Sequence, residues 1–179
     1  MPKGRLNHIA TGLQKYGYQC EMQAEDSSIP FSRLNVSLGR DGYGRERTLV
    51  IRVDSFPMPS EKGAEAPMEQ LFLHLFVAFP FMVKPEAAGE LSRLLMYFNK
   101  PLEVPGFGLD ELNQIVFYRY SLVCVGDLIK IRPLVAMMGT ISLLVDALTN
   151  QIEAVSQGTP MKSVLRTTIE SLAMGKQAA

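Results

Sequence analysis

Few side chains in this sequence carry the chemistry of catalysts or metal ligands, and they are scattered. There are two histidines, His8 and His74, and two cysteines, Cys20 and Cys124. His8 lies in an N-terminal helical pattern with no second ligand type beside it. His74 stands in an apolar run, where a hydrogen-bonded histidine in or at the rim of a core outweighs a metal ligand. No group of His, Cys and Asp has zinc spacing, because the cysteines are isolated. Cys124 would be a nucleophile only with a histidine packed beside it, and His74 is the one central candidate. An enzyme reading therefore predicts a cleft joining Cys124 and His74, or a carboxylate pair. The glycine cluster Gly39–Gly44 lacks the Lys-Ser/Thr ending of a phosphate loop and joins two strand patterns instead of opening a helix. Asp110 and Glu111 fit a solvated turn better than acid–base work. Tyr118, Arg119 and Tyr120 are types that stack on bases, but no basic run surrounds them, and a sheet face packed on a helix accounts for them. The expectation is a protein that is not an enzyme, with no catalytic residue, cofactor or metal.

Composition points the same way. The chain has 179 residues, 47 % of them hydrophobic and 20 % charged, a balance that suits one globular domain. Lys and Arg number 18, as do Asp and Glu, so no overall field draws the chain to nucleic acid or an acidic membrane. Both cysteines sit in strand-like apolar surroundings, which favours two buried thiols in a reducing compartment over a disulfide. The N-terminus has no apolar signal core. The apolar run Leu71–Val83, interrupted by His74 and Pro80, falls short of the roughly 18–20 residues a membrane helix needs. A cytoplasmic protein with no membrane and no nucleic-acid partner is expected.

The elements that must position these residues follow from periodicity. Leu6, Ile9, Ala10 and Leu13 predict a helix over 3–15, with Gly17 as its C-terminal cap. Tyr18, Cys20 and Met22 alternate with polar residues as a strand. Leu34, Val36 and Leu38, the glycine-rich reversal and Leu49, Ile51 and Val53 predict an antiparallel hairpin, with Val50, Arg52 and Asp54 on its other face. Ser55–Pro67 holds three prolines and reads as a loop. Residues 70–83 predict a central strand buried on both faces, with Pro80 at its end or at a bulge. Leu91, Leu94, Leu95 and Phe98 form the stripe of a second helix, ended by Pro101. Phe107 and Leu109 make a short strand, 110–114 a turn, and 115–125 a long strand. The longest helix follows Pro133 and carries no charge from Pro133 to Val145. A fourth helix starts at Thr159-Pro160. The order predicts an α+β fold around a mainly antiparallel sheet packed by helices.

The wide apolar face of the long helix predicts a partner or dimer surface at Met137, Met138, Ile141, Leu144 and Leu148. Ten methionines admit an adaptable contact surface as well as core filling. An alternative reading, a small-molecule sensor, predicts a closed pocket of several hundred Å³ between sheet and helices.

Some of these stretches also resemble a known family. Phe79-Pro80-Phe81 leading into a helix, Leu94-Leu95 with Phe98-Asn99, Gly106-Phe107-Gly108-Leu109-Asp110, Val116-Phe117-Tyr118-Arg119-Tyr120, and the long helix with Asp146 and a terminal Gly158 are similar to the YbjN-like family. The fold of that family resembles class I type III secretion chaperones. The resemblance implies one domain over 1–179, with 159–179 a C-terminal helical extension. It further implies a bacterial, cytoplasmic, chaperone-like or regulatory protein that works as a homodimer and binds a segment of an as yet unidentified protein partner.

Overall fold

Alternation of buried and open positions governs the two long strands Glu46–Pro57 and Glu69–Met82 over most of their length. In the computed structural model, which describes residues 2–27, 29–57, 69–102, 106–125 and 129–175, six strands form one sheet. They are Cys20–Gln23 (β1), Arg33–Arg40 (β2), Glu46–Pro57 (β3), Glu69–Met82 (β4), Phe107–Asp110 (β5) and Ile115–Val125 (β6), in the order β1-β2-β3-β4-β6-β5. The helices are Pro2–Gln14 (α1), Ala88–Asn99 (α2), which follows a 3₁₀ turn at Pro85–Ala87, Ile131–Ser156 (α3) and Met161–Gly175 (α4). The fold is α+β with an antiparallel sheet. Two compact units are distinguished, Met1–Ala78 with Arg119–Ser142 and Phe79–Tyr118 with Leu143–Ala179. The chain passes between them within β4, β6 and α3.

In the first unit β1, β2, β3 and β4 pair antiparallel in sequence order, with Val36 opposite Cys20 and Leu49, and Ile51 opposite Leu34 and Leu75. This register puts Leu34, Val36, Leu49, Ile51, Leu71, Leu73 and Leu75 on one face, all fully buried. Helix α1 packs on β1, β2 and β3, and its i, i+3, i+7 residues Leu6, Ile9 and Leu13 are likewise fully buried. Removing one such side chain from water contributes about 1.5–3 kcal/mol. Gly17 ends α1 at φ +84°, where its N–H and that of Tyr18 satisfy the carbonyls of Gln14 and Leu13. In the β2–β3 reversal Asp41 Oδ1 accepts from the N–H groups of Tyr43 and Arg45, and Oδ2 accepts from Arg45 Nε at 2.7 Å. Burial pushes the Asp41 carboxyl up, and these hydrogen bonds with the Arg45 charge more than reverse it, to a net lowering.

In the second unit Leu91, Leu94 and Leu95 of α2 are buried, and α2 packs on β5 and α4. Phe79, Phe107 and Tyr118 form a ring cluster, with Phe107 edge-on to Tyr118 at 5.0 Å. Asn99 at the end of α2 treats β5 as a neighbouring strand would. Its Oδ1 accepts the Phe107 N–H and its Nδ2 donates to the Phe107 carbonyl, both at 2.8 Å. A Cβ on Gly106 would lie 2.0 Å from Asn99 Oδ1, and one on Gly108 2.4 Å from the Phe117 ring, so the Gly-Phe-Gly sequence is what this clasp and the ring require. Helix α3 ends on Gly158 at φ +102°, with the N–H of Gly158 on Val155 O and that of Thr159 on Ala154 O. The Lys84 N–H donates to Ser156 O, and Gln157 Nε2 donates to Met82 O.

Four expectations need correction. β4 is buried on one face only: Gln70, Phe72, His74, Phe76 and Pro80 on the other are half-buried, and Ala78 and Met82 are exposed. Pro80 lies inside β4, three residues beyond Val77, where the β3–β4 ladder ends. Ser55–Pro57 extend β3 instead of opening a loop, and the remainder of that expected loop falls in 58–68, outside the described residues. The strand break expected at Gly126 and Asp127 falls outside them too. Finally, Met138 and Ile141 are 1 % exposed and belong to the interior, not to a contact surface.

Two glycines of α1 separate helix propensity from packing. At Gly4 nothing lies within 4 Å of an added Cβ, whereas at Gly12 it would meet Ile131 Cγ1 at 2.5 Å. Gly4→Ala should raise the melting temperature by about 1–2 °C, worth about 0.5 kcal/mol. Gly12→Ala should lower it by about 2 °C or more despite the better helix former, as differential scanning fluorimetry would show. Asn99→Ala leaves the Phe107 N–H and C=O without this partner and should cost about 2 kcal/mol, or about 4–8 °C.

Candidate functional site

The face of the sheet opposite the buried leucines brings together the polar residues of β3, β4 and β6 within the first unit. Arg52 lies opposite His74, and Asp54 opposite Phe72. His74 thus occupies a strand flanked by an acid on one neighbour and a hydroxyl on the other. Its Nε2 is 3.1 Å from Asp54 Oδ2, and its Nδ1 is 3.0 Å from Ser121 Oγ. An ionised carboxylate only accepts, so Nε2 carries the proton. In the neutral ring Nδ1 is then bare, and the Ser121 hydroxyl donates to it. The result is a carboxylate–imidazole–hydroxyl chain with every proton assigned.

Arg52 completes the acid side. Its Nη2 donates to Asp54 Oδ2 at 2.6 Å, and its guanidinium lies 4.8 Å from the centroid of the Phe31 ring. Phe72 stacks on the His74 ring at 6.3 Å between centroids, and Phe56 meets Phe72 edge-on at 5.4 Å. Phe56 is 53 % exposed, so the aromatic pair offers apolar surface beside the chain. Burial holds the His74 pKa below its ordinary 6.5, and the Arg52 charge lowers it further; Asp54 acts the other way, and Arg119 adds a smaller lowering. His74 is therefore neutral at pH 7.

His74 is the hydrogen-bonded histidine at the rim of a core that the sequence favours, and the Cys124 partner that an enzyme reading required is not beside it. Cys124 has the opposite strand parity to Ser121, which shares a face with His74, so no Cys124–His74 cleft forms. Cys20 and Cys124 are free, and burial raises both thiol pKa values. Among the described residues His8 meets a backbone carbonyl, that of Ile129 at 3.3 Å. Among the described residues no cluster of His, Cys, Asp and Glu could hold a metal ion. Asp110 organises the β5–β6 turn through the N–H and Nδ2 of Asn113, and Tyr118 is buried, which removes it from any stacking surface. Asp54, Arg52 and His74 were each placeable from alternation. That Ser121 joins them depends on β6 lying beside β4, which periodicity does not disclose.

Two further surfaces bear on binding. On α3, Leu143 is 69 % exposed. Ala136, Thr140 and Ala147 share its stripe as exposed residues, while Met137, Leu144 and Leu148 are half-buried at its margin. The most apolar eighteen residues of α3 have a mean hydropathy of 1.6 and only 22 % of them are buried. Among the described residues α3 alone is long and apolar enough to cross a membrane. In the second unit an open groove of about 500 Å³ runs between the last turns of α3 and the first turns of α4. It is lined by Asn150, Gln151, Ser163, Val164, Thr167 and Thr168 among others, and so differs from the closed sheet–helix pocket expected of a sensor.

No known family's sequence profile matches the chain, and no curated protein is significantly similar to it.

The His74 environment fixes a pH dependence. A histidine whose folded pKa lies below its unfolded value favours folding while neutral, so its contribution is full above about 6.5 and is lost as pH falls toward the folded pKa. Asp41, Glu69 and Asp110, whose pKa values are all lowered from carboxylate values near 4, stabilise fully throughout this range and lose that contribution only at more acid pH. Chemical denaturation between pH 7.5 and 5 should show stability falling below about pH 6.5 in the wild type and a flatter profile in His74→Gln.

Proposed function

We propose that this chain is a cytoplasmic protein-binding module that pairs with a second copy of itself and holds a segment of a partner protein. The observation that carries the reading is the α3 stripe: an apolar helix surface centred on Leu143 and left open to water. Burying such a surface returns about 25 cal/mol for each Å² removed from water. Its small residues, Ala136, Gly139 and Ala147, permit close approach of a second helix, and ridge-into-groove packing of like helices needs that approach. Of the five contact residues read from the sequence, Met137, Leu144 and Leu148 remain in this role, joined by Leu143. The resemblance to the YbjN-like family supports the same reading, and the two free cysteines suit a reducing compartment.

Light scattering coupled to size exclusion tests it. The full chain should elute at twice its 19.9 kDa mass at about 20 μM, and Leu143→Glu should shift it to the monomer without lowering the melting temperature of the separated subunit. A wild-type monomer at about 100 μM would remove the proposal.

A further inference from the structure

We propose that Ser121 is an activated nucleophile and that the open sheet face hydrolyses uncharged carboxylic esters bearing an apolar group. The inference stands apart from the binding role of α3. It rests on the Asp54–His74–Ser121 chain, whose two links measure 3.1 and 3.0 Å. Those are hydrogen-bonding distances for a nucleophile, a base and the group that orients the base. The proton assignment is the productive one, because Asp54 holds the proton on Nε2 and leaves Nδ1 free to take that of Ser121. A neutral His74 at pH 7 is in the form a general base needs.

The surroundings supply the remaining parts. Arg52, bonded to Asp54 and held over Phe31, fixes the carboxylate that fixes the ring. Arg119 is exposed and precedes Ser121 by two positions on the same face, near enough for its charge to act on His74. Backbone N–H groups inside a sheet are committed to its ladder, so a side-chain cation takes the part of the oxyanion hole. The Phe56–Phe72 pair beside the imidazole gives an apolar acyl or aryl group a surface. No further carboxylate is bonded to His74 among the described residues.

The reaction balances with water alone. Ser121 Oγ bonds to the carbonyl carbon as its proton passes to His74 Nδ1. The adduct then collapses, the carbon–oxygen bond to the alcohol breaks, and the departing oxygen takes the proton from Nδ1. Water attacks the acyl-serine and gives a proton to Nδ1. The acid leaves as Oγ recovers that proton. His74, Arg119 and Ser121 touch reacting atoms; Asp54 and Arg52 position.

The test uses the full chain and an alkyl fluorophosphonate, followed by intact mass and peptide mapping, with p-nitrophenyl butyrate as the turnover substrate. The wild type should take up one equivalent on Ser121 at pH 7.5. Ser121→Ala should take up none, and His74→Gln should react at least about 100-fold more slowly, each with a cooperative thermal transition that shows it folded. The labelling rate should be flat above about pH 7 and fall below pH 6.5. Arg119→Ala should lower ester turnover about tenfold or more at unchanged melting temperature. A folded wild type that stays unlabelled, an adduct on another serine, or equal labelling in His74→Gln would each overturn the proposal.

Discussion

The structure depends on the alternation of β4. Leu71, Leu73, Leu75, Val77, Phe79 and Phe81 project to one side and are at most 9 % exposed, while Phe72, His74 and Phe76 project to the other. A slip of one residue would exchange the two sets. Six large apolar side chains would then meet water, at about 1.5–3 kcal/mol each, which is of the order of the stability of a whole domain. The core therefore fixes the register, and the register in turn sets His74 opposite Arg52 and diagonal to Asp54. The polar face owes its geometry to the leucines behind it.

That dependence explains what the sequence disclosed. Elements with a strong period were legible, such as α1 through Leu6, Ile9 and Leu13, the β2–β3 hairpin and α3. So were the two helix ends at Gly17 and Gly158, because a positive φ favours glycine there. Two-sided burial of β4 was misread because Phe72 and Phe76 count as apolar wherever they point, and aromatic rings on an open face look no different in sequence from rings in a core. Met138 and Ile141 were grouped with Met137 and Leu144 because one wide stripe hides where its buried centre ends and its exposed margin begins.

The chemistry was less legible than the fold, for a topological reason. Asp54, His74 and Ser121 lie on three strands well apart in the sequence, with α2 and β5 intervening between the last two. Only the strand order β3-β4-β6 makes them neighbours, and a strand inserted beside β4 in place of β6 would have set another residue against Nδ1. Asn99 teaches the same lesson. It reads as the last residue of a helix, yet both its side-chain atoms serve the backbone of β5. Its role follows from where β5 runs, not from its own surroundings in the chain.

The open face also carries a cost that packing alone does not explain. Arg33 of β2 and Arg52 of β3 directly adjoin the paired Leu34 and Ile51, and like charges near one another across strands repel. Asp26 lies 3.9 Å from Arg33 and Asp54 2.6 Å from Arg52, which offsets the repulsion, but Arg33 Nη1 and Arg52 Nε remain enclosed without a hydrogen-bond partner. Each such donor costs about 1–3 kcal/mol when deprived of water. Threonine or valine at these positions would pave the same surface at no such expense and with better strand propensity. A polar chain that orients one imidazole gives Arg52 a purpose: Arg52 holds Asp54, Asp54 holds the His74 ring, and the ring holds the hydroxyl of Ser121. Stability on this face has been exchanged for the placement of three side chains.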